Sequence, residues 1–272
     1  MKNLLISFSG GRTSAFMCAY IQASKKYHQY KKLFVFANTG KEREQTLVFA
    51  DKCDKHFGLN LVWVEANRES NGSGSGIKKV DFETASRNGE PFEQHISFMG
   101  LPNYAFRTCT RDLKLGPIHK AAKEYFGGKN YITALGIRSD EPKRLKQKDG
   151  FIYPLANDIQ VDKFFIRQWW KKQPFDLGLK DYEGNCDFCF LKSLRKRKTI
   201  LSENQNLGDW WQKMEGKYGT EAQPIFDIRN KLSVEQIKDQ AQQPFYKAED
   251  ESINPKLFNS IDDFEMECFC KE

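Results

Sequence analysis

The chain has 272 residues, 39% of them hydrophobic, 22 phenylalanines and a mean hydropathy of −0.67. That is enough apolar material for one large α/β domain with an appendage, or for two small domains, beneath a polar surface. No run approaches the ~18 apolar residues of a membrane span, and the apolar stretch at residues 4–8 is shorter than the about 7–15 residues of a signal-peptide core. A cytoplasmic protein is expected. The net charge of +7 predicts a polyanionic partner, nucleotide or nucleic acid. Seven cysteines, in a compartment where structural disulfides are uncommon, call for another use.

In chain order, Leu4-Leu5-Ile6 with Phe8 reads as a buried strand. Phe16, Ala19, Tyr20 and Ala23 fall at helical spacing. Between them stands Ser7-Phe8-Ser9-Gly10-Gly11-Arg12-Thr13-Ser14. Glycines let backbone N–H groups close around an oxyanion, hydroxyls add donors, and the helix N-terminus adds its dipole. The stretch is neither G-x-x-x-x-G-K-[ST] nor G-x-G-x-x-G. It reads as a phosphate loop, the alternative being a plain Gly-Gly turn with a hydroxyl cap.

Leu33-Phe34-Val35-Phe36 and residues 59–64 read as further strands, with a helix carrying Leu47, Ala50, Asp54 and Phe57 between them. Strands alternating with helices predict a parallel sheet whose ligands sit at the strands' carboxyl ends. Asn38-Thr39-Gly40 stands at such an end, although this tripeptide also suits any tight turn. Residues 68–79, rich in Gly and Ser, read as a loop over the site or a plain surface loop. His95 receives no role. Residues 107–117 hold Arg107, Arg111 and Lys114, either an anion site or a solvated basic face, ahead of a helix at 118–125. Tyr131-Ile132-Thr133-Ala134-Leu135 reads as a strand ending in Gly136, Arg138, Asp140, Glu141 and Arg144. The arginines suit an anion. The carboxylates suit either Mg²⁺ or salt bridges to those arginines. Residues 151–155 read as the last strand, with Pro154 at an edge or end. Phe165, Trp169 and Trp170 on the following helix read as core rather than as base-stacking groups.

Cys186-Asp187-Phe188-Cys189 is the second firm signal, since C-x-x-C marks half a metal site or a redox pair. Cys268, Cys270 and Cys109 offer further sulfurs, whereas Cys18 and Cys53 sit in helical patterns and read as small hydrophobes. Zn²⁺ would take Cys186, Cys189, Cys268 and Cys270. An iron–sulfur cluster would take Cys109, Cys186, Cys189 and one tail cysteine. Lys192, Arg195, Lys196, Arg197 and Lys198 form the strongest basic cluster, a possible nucleic-acid contact or, more simply, a solvated helix face. Ser233 and Gln236 predict a capping box, Leu232 and Ile237 a hydrophobic staple, and Pro244 the end of that helix.

Ser7 to Ser14 resembles the PP-loop, S-G-G-x-[DT]-S, of the ATP pyrophosphatase superfamily, with the phosphoadenosine phosphosulfate reductase branch as the nearest match. Residues 109–117 resemble that family's C-[CT]-x-x-[LR]-K-x-x-P element, and residues 136–144 its G-I-R-x-D-E-x-x-R element. The resemblance implies a Rossmann-like (adenine nucleotide α-hydrolase-like) parallel sheet over residues 1–175 and a helical, cysteine-containing extension over 176–272. It implies that Ser7, Ser9, Gly10, Gly11, Arg12, Thr13 and Ser14 hold phosphates and that Asn38, Thr39 and Gly40 lie along an adenosine. Lys114, Gly136, Arg138 and Arg144 complete the nucleotide site. ATP with Mg²⁺ is the implied ligand, or else phosphoadenosine phosphosulfate, and a [4Fe-4S] cluster is favoured over Zn²⁺. Sulfonucleotide reductases end in Glu-Cys-Gly-[LI]-His; here Glu267-Cys268-Phe269-Cys270 keeps only Glu-Cys.

Three functions follow. In the first, Ser14 and Arg138 serve an adenylating enzyme that passes sulfur from a donor to an activated acceptor. In the second, Cys268 attacks the sulfur of phosphoadenosine phosphosulfate and a thiol reductant restores it. In the third, the chain is a non-catalytic nucleotide- or nucleic-acid-binding metalloprotein. The intact S-G-G-x-T-S favours the first, because dedicated reductases need not hold a leaving pyrophosphate.

Overall fold

A computed structural model describes residues 1–68, 75–146 and 148–250. The strands are β1 (Lys2–Phe8), β2 (Tyr30–Asn38), β3 (Val62–Arg68), β4 (Ser75–Val80), β5 (Ile132–Ala134) and β6 (Phe151–Ile152). They form one sheet in the order β4-β3-β2-β1-β5-β6, parallel throughout except where β3 meets β4. The helices are α1 (Arg12–Ala23), α2 (Glu44–Phe57), α3 (Glu90–Met99), α4 (Gly116–Phe126), α5 (Pro154–Asn157), α6 (Lys163–Lys171), α7 (Leu194–Glu203), α8 (Asp209–Tyr218) and α9 (Val234–Gln242).

β1 is the centre of the sheet because both of its faces are apolar. Leu4, Ile6 and Phe8 join one core with Phe16, Phe36 and Trp170, while Leu5 joins another with Leu33, Val35 and the α4 residues Ile118 and Ala122. Such an unbroken apolar run is what a parallel strand covered on two sides needs. The chain leaves β1 toward β2 and later returns to β5 on its other flank, so the sheet reverses direction at β1. A crevice at that reversal, above the carboxyl ends of the strands, is where open α/β sheets bind ligands.

A second core gathers Phe92, Ile96 and Leu113 with Phe188, Phe190, Ile200, Trp211, Met214 and Phe226. α9 closes it, and its start carries the expected capping box, with Ile237 buried and Leu232 packed alongside.

Three expectations change. Residues 75–80 are a strand, not loop: β4 pairs antiparallel with β3 from Trp63↔Val80 to Arg68↔Ser75, because Ile77 and Val80 have apolar surface to cover. β3 accordingly runs later than predicted, to Arg68. Pro154 starts a helix instead of ending a strand; its fixed φ and missing N–H suit the first helical turn. β6 is an edge strand of only two residues.

Candidate nucleotide and thiol site

The phosphate loop connects β1 to α1 and is held by its own hydroxyls. Ser14 is buried; its Oγ accepts from the Ser9 amide at 3.1 Å, donates to the Gly11 carbonyl at 3.0 Å and meets Ser9 Oγ at 2.9 Å. Gly10 has φ of +83°, and a Cβ there would stand 2.6 Å from Thr46 Cγ2 on α2. The loop therefore presses on α2 in a conformation that only glycine adopts readily. α1 begins at Gly11 with no side-chain cap and no acidic residue in its first turn, which keeps the positive end of its dipole uncompensated by the chain.

Gly136 brings the segment after β5 against this turn: a Cβ would lie 3.2 Å from Ser14 Cα. Two residues on, Arg138 is buried, with Nη1 donating to Thr13 Oγ1 at 3.3 Å and Nε to Asp140 Oδ1 at 2.8 Å. Its amide donates to Glu141 Oε2 at 3.1 Å, and Glu141 also pairs with Arg144. The carboxylates of the Arg-x-Asp-Glu stretch are thus salt-bridge partners of the arginines here. Arg12 turns to Asp176, pairing at 2.6 Å, and donates to the Leu179 carbonyl at 3.1 Å. Burial would raise the Asp176 carboxyl, but Arg12 outweighs it and holds the group below its ordinary value.

The C-x-x-C segment docks beside this loop. Asn185 Nδ2 donates to the Ser9 carbonyl at 2.6 Å, and Asn185 O accepts from the Arg43 amide at 2.7 Å. The Asp187 amide donates to the Lys41 carbonyl at 2.9 Å, and Glu42 and Cys186 form an antiparallel bridge. Lys114 Nζ stands 3.8 Å from Cys186 Sγ and 3.5 Å from Glu42 Oε1. Beneath them Lys41 Nζ pairs with Asp187 Oδ2 at 2.6 Å, the Trp211 indole donates to Asp187 Oδ1 at 2.8 Å, and the ammonium lies 4.9 Å from the Trp210 ring centre. Burial pushes the Asp187 carboxyl up, with Lys41 opposing.

One cavity of about 470 Å³ is lined by Ser7, Ser9, Gly11, Arg12, Thr13 and Ser14 of the loop, by Lys114, Gly136, Arg138 and Arg144, and by Cys186 and Cys189. That volume falls in the range of small-molecule sites. Asn38, Thr39 and Gly40 lie outside its lining and hold one another: Asn38 donates to Glu65 at 2.6 Å and accepts from the Gly40 amide at 3.1 Å, while the Thr39 amide donates to Glu42 at 2.8 Å. Cys109 and Cys189 each pack against the second core, and Cys268 and Cys270 lie outside the described residues. Among the described residues no three Cys, His, Asp or Glu side chains gather closely enough to hold a metal ion. The described cysteines alone therefore do not compose a cluster or zinc site. Cys18 and Cys53 are fully buried, and burial pushes both thiols up, as expected of packing residues.

The basic cluster of residues 192–198 is not the solvated face its composition suggests. Arg197 is buried in an ion pair with Asp227, Lys196 is buried, and Lys192 lines the phosphate-loop cavity. Asn185 and Asp187 lie in the stretch around the C-x-x-C that the sequence singles out, but their contacts with Ser9 and Lys41 carried no sequence signal, because those partners lie far away along the chain.

The fold and the cavity define a nucleotide-binding α/β protein, and residues 3–156 match the phosphoadenosine phosphosulfate reductase domain. The chain belongs to that family. It is 38% identical over 212 residues to the uncharacterized nin region protein ORF290 of Escherichia phage lambda, covering 75% of this chain and 71% of the relative. Two uncharacterized proteins of Methanocaldococcus jannaschii are 21% and 26% identical, over 80% and 60% of this chain. The chain spans less than half the length of either, 42% and 32%. No described helix is long and apolar enough to cross a membrane.

Proposed function

We propose that the chain is an adenylating sulfur-transfer enzyme of PP-loop type. An acceptor oxygen attacks the α-phosphorus of ATP, pyrophosphate leaves, and a sulfur nucleophile from a donor then displaces AMP from the activated acceptor. Loop amides, Ser9 and Ser14 stabilise charge on the departing pyrophosphate, with Arg138 on the α-phosphate side, which is electrostatic catalysis by preorganised donors. One observation carries the reading: the loop, Arg138, Cys186 and Cys189 line the same cavity. Asp140 and Glu141 could hold Mg²⁺ on bound phosphates if they leave the arginines. A [4Fe-4S] cluster or Zn²⁺ on Cys186 and Cys189 requires further sulfurs from Cys109, Cys268 or Cys270, and no step here depends on one.

The family's description supports a second reading, sulfonucleotide reduction, in which Cys268, beyond the matched residues 3–156, would be the nucleophile. Two assays separate them. The first reading expects pyrophosphate from MgATP when a cell-extract fraction supplies the acceptor oxygen and a sulfide source is present; sulfite from phosphoadenosine phosphosulfate, lost in Cys268→Ser and without pyrophosphate release from ATP, overturns it.

A further inference from the structure

We propose that a basic track leads out of the nucleotide cavity to a second groove, and that it binds a single-stranded nucleic acid. The inference rests on reading the phosphate-loop cavity as a nucleotide site. That cavity is lined by ten Lys or Arg side chains against two carboxylates, Asp181 and Glu183. Seven of the ten pair with carboxylates, Arg12 with Asp176, Lys114 with Glu42, Arg138 with Asp140, Arg144 with Glu141, Lys163 and Arg167 with Asp181, and Lys180 with Glu203. The track is therefore carried by the exposed Lys146 and Lys148.

These two lysines point the way out of the cavity. Phe151 on the edge strand β6 lines this cavity and also a groove of about 840 Å³ on the α4 side of the sheet edge. There His119, Lys120, Lys123 and Lys129 face Glu124 and Asp149. Lys148 Nζ sits 5.0 Å from the ring centre of Phe151, the residue that lines both cavities. Tyr131 lines the groove beside these cations. Cations spaced along a path track a phosphate backbone, and rings between them offer faces to unstacked bases. A small nucleotide uses only one end of such a path. A duplex presents no base faces to the rings, which favours a single strand.

The test is fluorescence anisotropy with a labelled, mixed-sequence strand of ~20 nucleotides, long enough for a full site. Engaging about four phosphates predicts a roughly 50-fold loss of affinity between ~50 and ~200 mM salt. The exposed double variant Lys120→Glu/Lys123→Glu, and separately Lys129→Glu, should weaken binding by ~10-fold or more and flatten the salt slope. Both should leave MgATP affinity and melting temperature unchanged. The proposal is overturned if the parent protein fails to bind at ~50 mM salt, if the variants bind like the parent, or if duplex or polyglutamate competes as well as the unlabelled strand. Oligonucleotide binding with no MgATP binding sinks the nucleotide reading alone; MgATP binding with no oligonucleotide binding sinks the track alone.

Discussion

Ser14 joins the two ends of the phosphate loop, since its hydroxyl accepts from the Ser9 amide and donates to the Gly11 carbonyl. Ser14→Ala removes a loop donor and releases the Ser9 amide, so pyrophosphate release should fall by ~100-fold or more, the usual loss for one preorganised donor. Pyrophosphate quantitation checks it. Arg197 makes a different residue-scale case. It is 1% exposed and paired with Asp227. Arg197→Met strands a buried carboxylate and should cost about 3–5 kcal/mol in urea unfolding. Burial alone would raise the Asp227 carboxyl, but Arg197 and Asn230 outweigh it and hold the group low. A folded pKa below the unfolded one adds stability that is full above about pH 4 and fades as pH falls through the folded value. The stability gap between wild type and variant should therefore narrow below about pH 4.

Among the elements, the turn into α1 is the least tolerant of change. At Gly10 the positive φ and the contact with Thr46 both forbid a side chain. Gly10→Ala should destabilise by about 1–3 kcal/mol and weaken MgATP binding together, which thermal unfolding and calorimetry would read separately. α6 supports the same turn from below: Trp170 donates its indole N–H to the Arg12 carbonyl at 2.9 Å. The helix starts at Asp162, whose carboxylate accepts from the Phe165 amide at 2.7 Å. Asp162→Ala should cost about 1 kcal/mol, measured by urea unfolding, with little effect on a site held by many other contacts.

Across the whole molecule, the Lys41–Asp187 pair joins the sheet to the second core. Lys41 follows the β2 loop, and Asp187 sits inside the C-x-x-C with Trp211 behind it. Asp187→Ala leaves a buried ammonium and should cost about 3–5 kcal/mol in urea unfolding. It should also free the Cys186 segment from the loop, raising the rate at which Cys186 is alkylated by iodoacetamide. Unchanged alkylation would mean that the backbone bonds to Lys41 and Arg43 suffice.

The sequence by itself determined the first buried strand, the glycine turn that follows it and the capped start of α9. An apolar run at 4–8, a Gly-Gly turn with hydroxyls and the Ser233 capping box are local patterns, and local sterics and hydrogen bonding enforce them. Gly136 and Arg138 were legible as neighbours of the loop because the strand that precedes them ends beside it. Only the tertiary structure decided which charges are solvated and which thiols meet the nucleotide cavity. Arg197 looked like part of a surface run because composition carries no burial. The contacts of Asn185 and Lys41 were invisible because their partners lie remote in the chain. Burial and long-range pairing depend on how cores pack, and no window of sequence contains both sides of such a contact.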